Sequence, residues 1–185
     1  MKFDLLVIVA VLASAGLISY FYDHLVAGRN LRRKRNAALE HLATLPEFTA
    51  DFSTPEGAVL CFENRVGKLD IEAAAACRDF EAEARLWLSE KGHLSQEMKS
   101  QLLPETVRSV EKSFRDGLAK GRPVDWARGK TYFTKREPFS PGITVIRKTT
   151  HLPNGNLLSQ RVLVTKHETG WKVIKYLPAP AEDPE

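Results

Sequence analysis

A run of 18 residues without a charged side chain, from Leu5 to Tyr22, constrains this chain more than any other feature. As a helix, at about 1.5 Å per residue, the run is about 27 Å long and nearly spans the hydrocarbon core of a bilayer. Aromatic residues stand at both ends, Phe3 on one side and residues 20–22 on the other, where such rings favour the headgroup region. The run predicts a transmembrane helix within residues 1–28.

A cleaved secretory signal is the alternative interpretation of this segment. Residues 13–15 (Ala-Ser-Ala) fit the small-residue pattern that precedes a cleavage site, and Lys2 supplies a basic start. The apolar run nevertheless continues past this site to Phe21, which is unusual for a signal peptide. A buried helix of a water-soluble domain is less favoured, because this segment is apolar on all sides and lies at the chain terminus.

The excess positive charge of the chain follows this segment directly. The formal net charge is +4, yet residues 36–185 carry equal numbers of basic and acidic side chains, so the excess comes from residues 29–35. The five cations of this block are Arg29, Arg32, Arg33, Lys34 and Arg35. By the positive-inside rule the block stays in the cytoplasm. We expect a single-pass protein of a cell inner membrane with a cytoplasmic domain; a periplasmic domain is the alternative.

The same basic block limits the partners of the chain. Its cations are expected to contact anionic lipid headgroups, and they also suffice as a topology signal alone. A nucleic-acid partner is not expected, because the block has no interleaved aromatic residues and no further basic stripe follows it. The neutral composition of residues 36–185 supports the same conclusion.

Residues 29–52 are expected to form a basic stalk and linker, and helical signals come after them. Thr54 is a suitable N-cap, with Pro55 and an acidic residue in the first turn. Gly67 is placed to end this first helix. The apolar spacing after Asp70 predicts one second helix that runs to residue 88, with Trp87 among its inward residues. A third helical region, interrupted near Pro104, is expected to end at Gly121.

The second half of the domain carries strand signals. Asn154-Gly155 suits a tight hairpin, and short connections predict an antiparallel meander. An α+β domain over residues 53–178 is therefore predicted, with the helices on one face of the sheet and a disordered acidic tail at 179–185. The expected strands are Lys130–Thr134, Ile143–Thr150, Leu157–Lys166 and Trp171–Leu177.

Three short motifs carry a resemblance to a known family. Pro55-Glu56 at a helix start, Asp-Ile-Glu-Ala-Ala at residues 70–74 and Gly-Trp-Lys-Val at residues 170–173 resemble segments of NTF2-like domains in small bacterial proteins. The resemblance implies a cone, in which helices pack on one face of a curved antiparallel sheet. It does not imply an activity, since such domains include isomerases, dehydratases, transport factors, scaffolds and immunity proteins.

Candidates for acid–base chemistry are few, and none forms a pair by spacing. Both histidines among them are expected at sheet edges in water. The sequence also lacks metal-binding and phosphate-loop motifs, so no metal and no cofactor is expected. The candidates, chosen because an enzyme on this fold would use an Asp or His base with a Tyr, are Asp79, Asp125, Tyr132, His151 and His167.

Cys61 and Cys77 have two interpretations. If the first two helices form a hairpin, the two residues face each other, and a disulfide would indicate an oxidising compartment. Alternatively both are small core residues, as free cysteine often is. The cytoplasmic orientation favours the second interpretation.

Two functions are compatible with these features. The first is a non-catalytic binding or scaffold module whose sheet face or cone engages a protein partner or a second copy. The alternative is an isomerase- or dehydratase-type enzyme, and a toxin-immunity protein is a special case of the module. Arg147 and Lys148 are interpreted as solubilising edge charges. The candidate pocket or binding-face residues are Asp125, Trp126, Tyr132, Arg161 and Lys175.

Overall fold

The computed structural model of the chain describes residues 33–121 and 129–178. The predicted membrane segment and the acidic tail lie outside these residues, as do Arg29, Arg32, Asp125 and Trp126. In the two described ranges, no helix combines the length and the apolar character needed to cross a bilayer.

The chain divides into two units between Thr44 and Leu45. In the first unit, residues 33–43 are helical, and the basic residues Arg33, Lys34 and Arg35 are exposed. The second unit contains the elements that position the candidate site.

The described part of the second unit has helices first and an antiparallel sheet afterwards. The sheet has four strands in the order β1-β2-β3-β4, each paired with its sequence neighbour. This confirms the α+β class, and the order of elements fits an NTF2-like domain. The helices are α1 (Pro55–Gly67), α2 (Ile71–Ala76), α3 (Phe80–Ser89) and α4 (Gln96–Lys120), and the strands are β1 (Lys130–Ser140), β2 (Ile143–His151), β3 (Leu157–His167) and β4 (Gly170–Pro178).

Helix α1 begins as predicted. The Thr54 side chain accepts a hydrogen bond from the backbone N–H of Gly57 at 3.0 Å, and Pro55 occupies the first turn. The apolar side of the helix is buried against the sheet through Val59 and Phe62. The capping signal and the apolar spacing therefore act together.

The prediction of one long second helix was wrong, because the helix is broken at residues 77–79. The backbone N–H of Val173 donates to the Cys77 carbonyl at 2.9 Å, and the Asp79 N–H donates to the Val173 carbonyl at 2.9 Å. This short parallel bridge to β4 replaces the hydrogen bonds of the helix. Asp79 then caps α3 by accepting from the Ala82 N–H at 2.9 Å.

The predicted interruption near Pro104 was also wrong. Helix α4 runs through this residue from Gln96 to Lys120. A proline removes one backbone donor from a helix, which leaves a carbonyl without its partner. No residue of α4 is buried, so water can satisfy that carbonyl.

Both faces of the sheet are partly covered, so the prediction that the helices cover one face was incomplete. The first face carries Ile146 and Val162, which pair across β2 and β3 and pack with α1. The second face carries Val145, Leu163 and Ile174. Its apolar centre is covered by Ala82 and Leu86 of α3.

A buried cluster of polar residues joins α1 to the first face, and we call Glu63, Lys148 and Tyr176 the buried cluster. The Lys148 ammonium donates to the Glu63 carboxylate, and the Tyr176 hydroxyl donates to Glu63 Oε1 at 2.8 Å. Only 1% of the Lys148 side chain is exposed. The interpretation of Lys148 as an edge charge was therefore wrong, because β2 lies inside the sheet and this residue faces α1. Its neighbour Arg147 pairs with Glu137 at 3.3 Å.

The turn between β3 and β4 is held against the segment that precedes α1. The backbone N–H of Trp171 donates to the Phe52 carbonyl at 2.9 Å. Gly170 has φ +125°, and a Cβ at this position would lie 2.6 Å from the Phe52 carbonyl oxygen. Glycine is therefore required here both by backbone conformation and by space.

Replacing Gly170 by alanine is expected to destabilise the domain. The strained backbone alone costs about 1–3 kcal/mol, and the contact with Phe52 adds to it. Chemical denaturation of the variant should show this loss. Gly92→Ala is the matched control, because a Cβ at Gly92 meets no atom within 4 Å. Equal free energies of unfolding in the two variants would contradict the prediction.

Replacing Tyr176 by phenylalanine is expected to change how stability depends on pH. Burial raises the pKa of Tyr176 well above its ordinary 10.0, and the charge of Glu63 raises it further. The unfolded chain thus releases this proton above about pH 10 while the folded chain retains it, so stability falls as pH rises there. The free energy of unfolding of Tyr176→Phe should be about 1 kcal/mol lower at neutral pH, and it should fall less steeply above pH 10.

Urea denaturation across an alkaline pH series measures this effect. Tyr132→Phe is the control, because it removes a tyrosine hydroxyl from the other side of the sheet. Tyr132 pairs with Thr149 on the second face, whereas the buried cluster lies on the first. An alkaline slope that is the same in Tyr176→Phe as in the unsubstituted chain would contradict the assignment.

Candidate functional site

Three of the predicted binding-face residues lie on the second face of the sheet. Tyr132 of β1 pairs with Thr149 on this face. Arg161 of β3 and Lys175 of β4 lie on the same face. The Lys175 ammonium lies 3.5 Å from the Glu90 carboxylate. The structure thus brings these three residues to one face, whose apolar centre is already covered by α3.

Asp79 and His167 form a pair that spacing in the sequence did not reveal. His167 Nε2 lies 2.8 Å from Asp79 Oδ2, and the other carboxylate oxygen of Asp79 caps α3. The pair joins the end of β3 to the start of α3, across 88 residues of sequence. His151, by contrast, lies half-buried at the end of β2, paired with Lys130 and Leu157.

The space between α1 and the first face is filled with side chains. The ring of Phe62 lies 6.0 Å from the rings of both Phe114 and Tyr176. Lys148 and Thr150 are also wholly buried there. The buried cluster is therefore not reached by a ligand in this structure, and the space between α1 and the first face is closed.

An open groove of about 780 Å³ lies between α3 and α4. This volume is within the range of sites that bind small molecules or side chains of a partner. We call it the helical groove. It is lined by Arg78, Glu83, Trp87, Leu102, Glu105, Thr106, Ser109, Val110, Ser113 and Phe114.

Exposed apolar side chains form the rim of the helical groove. Trp87 of α3 is 47% exposed, and Leu102 of α4 is 39% exposed. The α4 lining, from Leu102 to Phe114, recurs at steps of three and four residues and forms one side of that helix. The prediction that Trp87 faces inward was wrong: α3 buries Ala84 and Leu88, whereas Trp87 lies at the helical groove.

An ion pair lies at the base of the helical groove. The Arg78 guanidinium donates to the Glu83 carboxylate and to the Ile174 carbonyl. It also stacks on two rings, at 4.7 Å from the Phe114 centroid and 5.1 Å from that of Phe80. Among the described residues, Arg78 Nε has no hydrogen-bond partner although it is buried.

Burial shifts both groups of this ion pair toward neutrality. Burial lowers the pKa of Arg78, while the charge of Glu83 acts in the opposite direction. Burial likewise raises the pKa of Glu83, and Arg78 opposes that shift. The charges of Arg78 and Glu83 thus compensate each other at the base of the groove. Its walls offer apolar surface. Within residues 33–121 and 129–178, no cluster of side chains suits a metal ion.

Both cysteines carry free thiols. Cys77 is buried within the apolar core on the first face, and Cys61 packs against that core while partly buried. This agrees with the interpretation of the two residues as small core residues.

Comparisons with known proteins find little. No protein-family profile matches the chain, and no curated protein matches it. Among solved structures, the chain is similar to a protein described as an NTF2-like transpeptidase from Campylobacter jejuni. The two share 19% sequence identity with a TM-score of 0.35, and the match covers 66% of this chain and 99% of the other. A similarity of this size says nothing about what this chain binds or catalyses.

Proposed function

We propose that residues 53–178 form an NTF2-like domain that acts as a non-catalytic binding module, held at a membrane by the segment that precedes it. The occupant of the module is an amphipathic helix of a protein partner, bound in the helical groove. The closed space between α1 and the first face supports this proposal, because the acid–base groups of the buried cluster are out of reach of a substrate. The accessible surface of the domain lies instead between α3 and α4.

The observation that carries the proposal is the apolar rim of the helical groove. Trp87 and Leu102 are large apolar side chains with much of their surface in water. Met98, one turn before Leu102 on α4, is also 47% exposed. Apolar side chains that are exposed together at a concave site indicate an interaction surface, because burying them against a partner is favourable.

The shape and charge of the groove favour a helix as the occupant. The α4 lining from Leu102 to Phe114 extends for about 18 Å, the length of about three helical turns. A helix that presents apolar residues at every third and fourth position matches such a surface. Glu105 lines the groove and forms no ion pair among the described residues. We therefore expect a basic residue beside the apolar stripe of the partner.

The contact between Asp79 and His167 favours one other function, a small-molecule enzyme of the isomerase or dehydratase type. In such an enzyme the carboxylate would orient the imidazole, and the half-exposed ring would accept a proton from a substrate. The two functions differ in how they depend on His167. Binding of a helix in the groove does not require this residue, whereas proton transfer does.

A photo-crosslinking residue at Ser109, inside the helical groove, is expected to capture the partner in native membranes. The captured peptide should contain an apolar stripe at helical spacing and a basic residue. Glu105→Lys should reduce the adduct about tenfold, because it repels the basic residue of the partner. His167→Ala should leave the adduct unchanged.

The matched control places the same crosslinking residue at Arg108, which is exposed on the other side of α4. Equal adducts from the two positions would contradict the proposal, as would an adduct that Glu105→Lys does not reduce. An adduct with a second copy of this chain would show self-association in place of a different partner.

Membrane tethering and its orientation have a separate test. The full chain is expected to remain with membranes after a high-salt wash, and a variant without residues 1–28 should be released. A reporter enzyme that is active only outside the cytoplasm, fused after Glu185, is expected to be inactive. A shortened and released mature protein would instead show a cleaved signal peptide.

A further inference from the structure

A second pocket, of about 390 Å³, lies between α2 and the turn that connects β3 to β4. Phe52 and Trp171 supply aromatic rings to its wall, and Arg65 and Lys172 supply positive charge. Ala73 and Cys77 are also part of its lining. It shares no lining residue with the helical groove. We call it the basic pocket.

The charged residues that line the basic pocket are all positive. None of the described residues that line it is acidic. Arg65 lies 3.6 Å from Asp70, with about half of each side chain exposed, so this ion pair leaves most guanidinium donors available. In the described part of the chain, the Lys172 ammonium has no carboxylate or hydrogen-bond partner. Two cations therefore line the pocket, and Asp70, the acidic partner of Arg65, is not part of its lining.

The two cations act on the interior of the pocket. Burial raises the pKa of the Cys77 thiol, with contributions from Cys61 and, least of all, Asp70, whereas Arg65 and Lys172 act in the opposite direction. Their positive potential thus reaches the inner wall where Cys77 lies. An anion in the pocket would experience the same potential with a favourable sign.

The aromatic wall is held in place before any ligand arrives. The Phe52 carbonyl accepts from the Trp171 N–H, and Gly170 permits the close approach of the two segments. Phe52 is nevertheless 40% exposed. The backbone of these two segments is thus already in place, and their aromatic side chains beside two cations offer apolar contact and charge together.

We propose that the basic pocket binds a small aromatic carboxylate. Its carboxylate group lies between Arg65 and Lys172, which form charge-assisted hydrogen bonds to it. Its ring contacts Phe52 and Trp171. The volume suits a ligand of one or two rings, near the lower end of the range for small-molecule sites. This function is independent of the helical groove, so either proposal can fail without the other.

Titration calorimetry of the full chain in detergent with naphthoate as the probe tests the proposal. Naphthoate should bind at one site per chain. Naphthylmethanol, which lacks the charge, should bind with an affinity at least about tenfold lower. Lys172→Gln and Arg65→Gln should each weaken naphthoate binding about tenfold. Phe52→Ala should weaken it as well, because the variant removes the ring contact.

The matched control is Lys91→Gln, which removes an ammonium group 4.6 Å from the ring centroid of Trp87, outside the basic pocket. It is expected to leave naphthoate affinity unchanged in the same detergent. Unchanged affinity in both Lys172→Gln and Arg65→Gln would overturn the proposal. Affinity for naphthylmethanol or for inorganic phosphate equal to that for naphthoate would also overturn it, since charge and ring would then not act together.

Discussion

The contact between Lys148 and Glu63 is the interaction on which the rest of this domain depends. It joins α1 to the middle of the sheet, and the Tyr176 hydroxyl ties β4 to the same carboxylate. Loss of either charged partner would leave the other buried and uncompensated, at a cost of about 3–5 kcal/mol. Replacing both partners by apolar residues of similar volume is often neutral, so the large cost belongs to the removal of one partner alone.

The space between α1 and the first face is closed, and the accessible groove of the domain lies between its outer helices α3 and α4. Val173 of β4 captures the backbone of residues 77–79 by two hydrogen bonds, and the chain starts a new helix at Phe80. This helix buries Ala84 and Leu88, and its Trp87 lies at the rim of the helical groove.

Local signals in the sequence predicted most of the elements. Thr54 and Asp70 cap helices as expected, since a side-chain oxygen next to free N–H groups acts within one turn. The hairpin at Asn154-Gly155 is present, although Gly155 alone of the two has a positive φ, and the Asn154 side chain accepts from a backbone N–H. Four strands were placed by their apolar and β-branched residues. The first of them extends further than predicted, to Ser140.

The sequence by itself determined the α+β class, the order of the elements, the concentration of charge in residues 29–35 and the neutrality of residues 36–185, because each depends on neighbouring residues along the chain. Only the tertiary structure decided the burial of Lys148, the pairing of Asp79 with His167, the break before α3 and the two pockets. These features depend on contacts between residues far apart in the sequence. A charged residue in a strand looks the same in the sequence whether water or a buried carboxylate is its partner, and only the packing of α1 onto the sheet distinguishes the two.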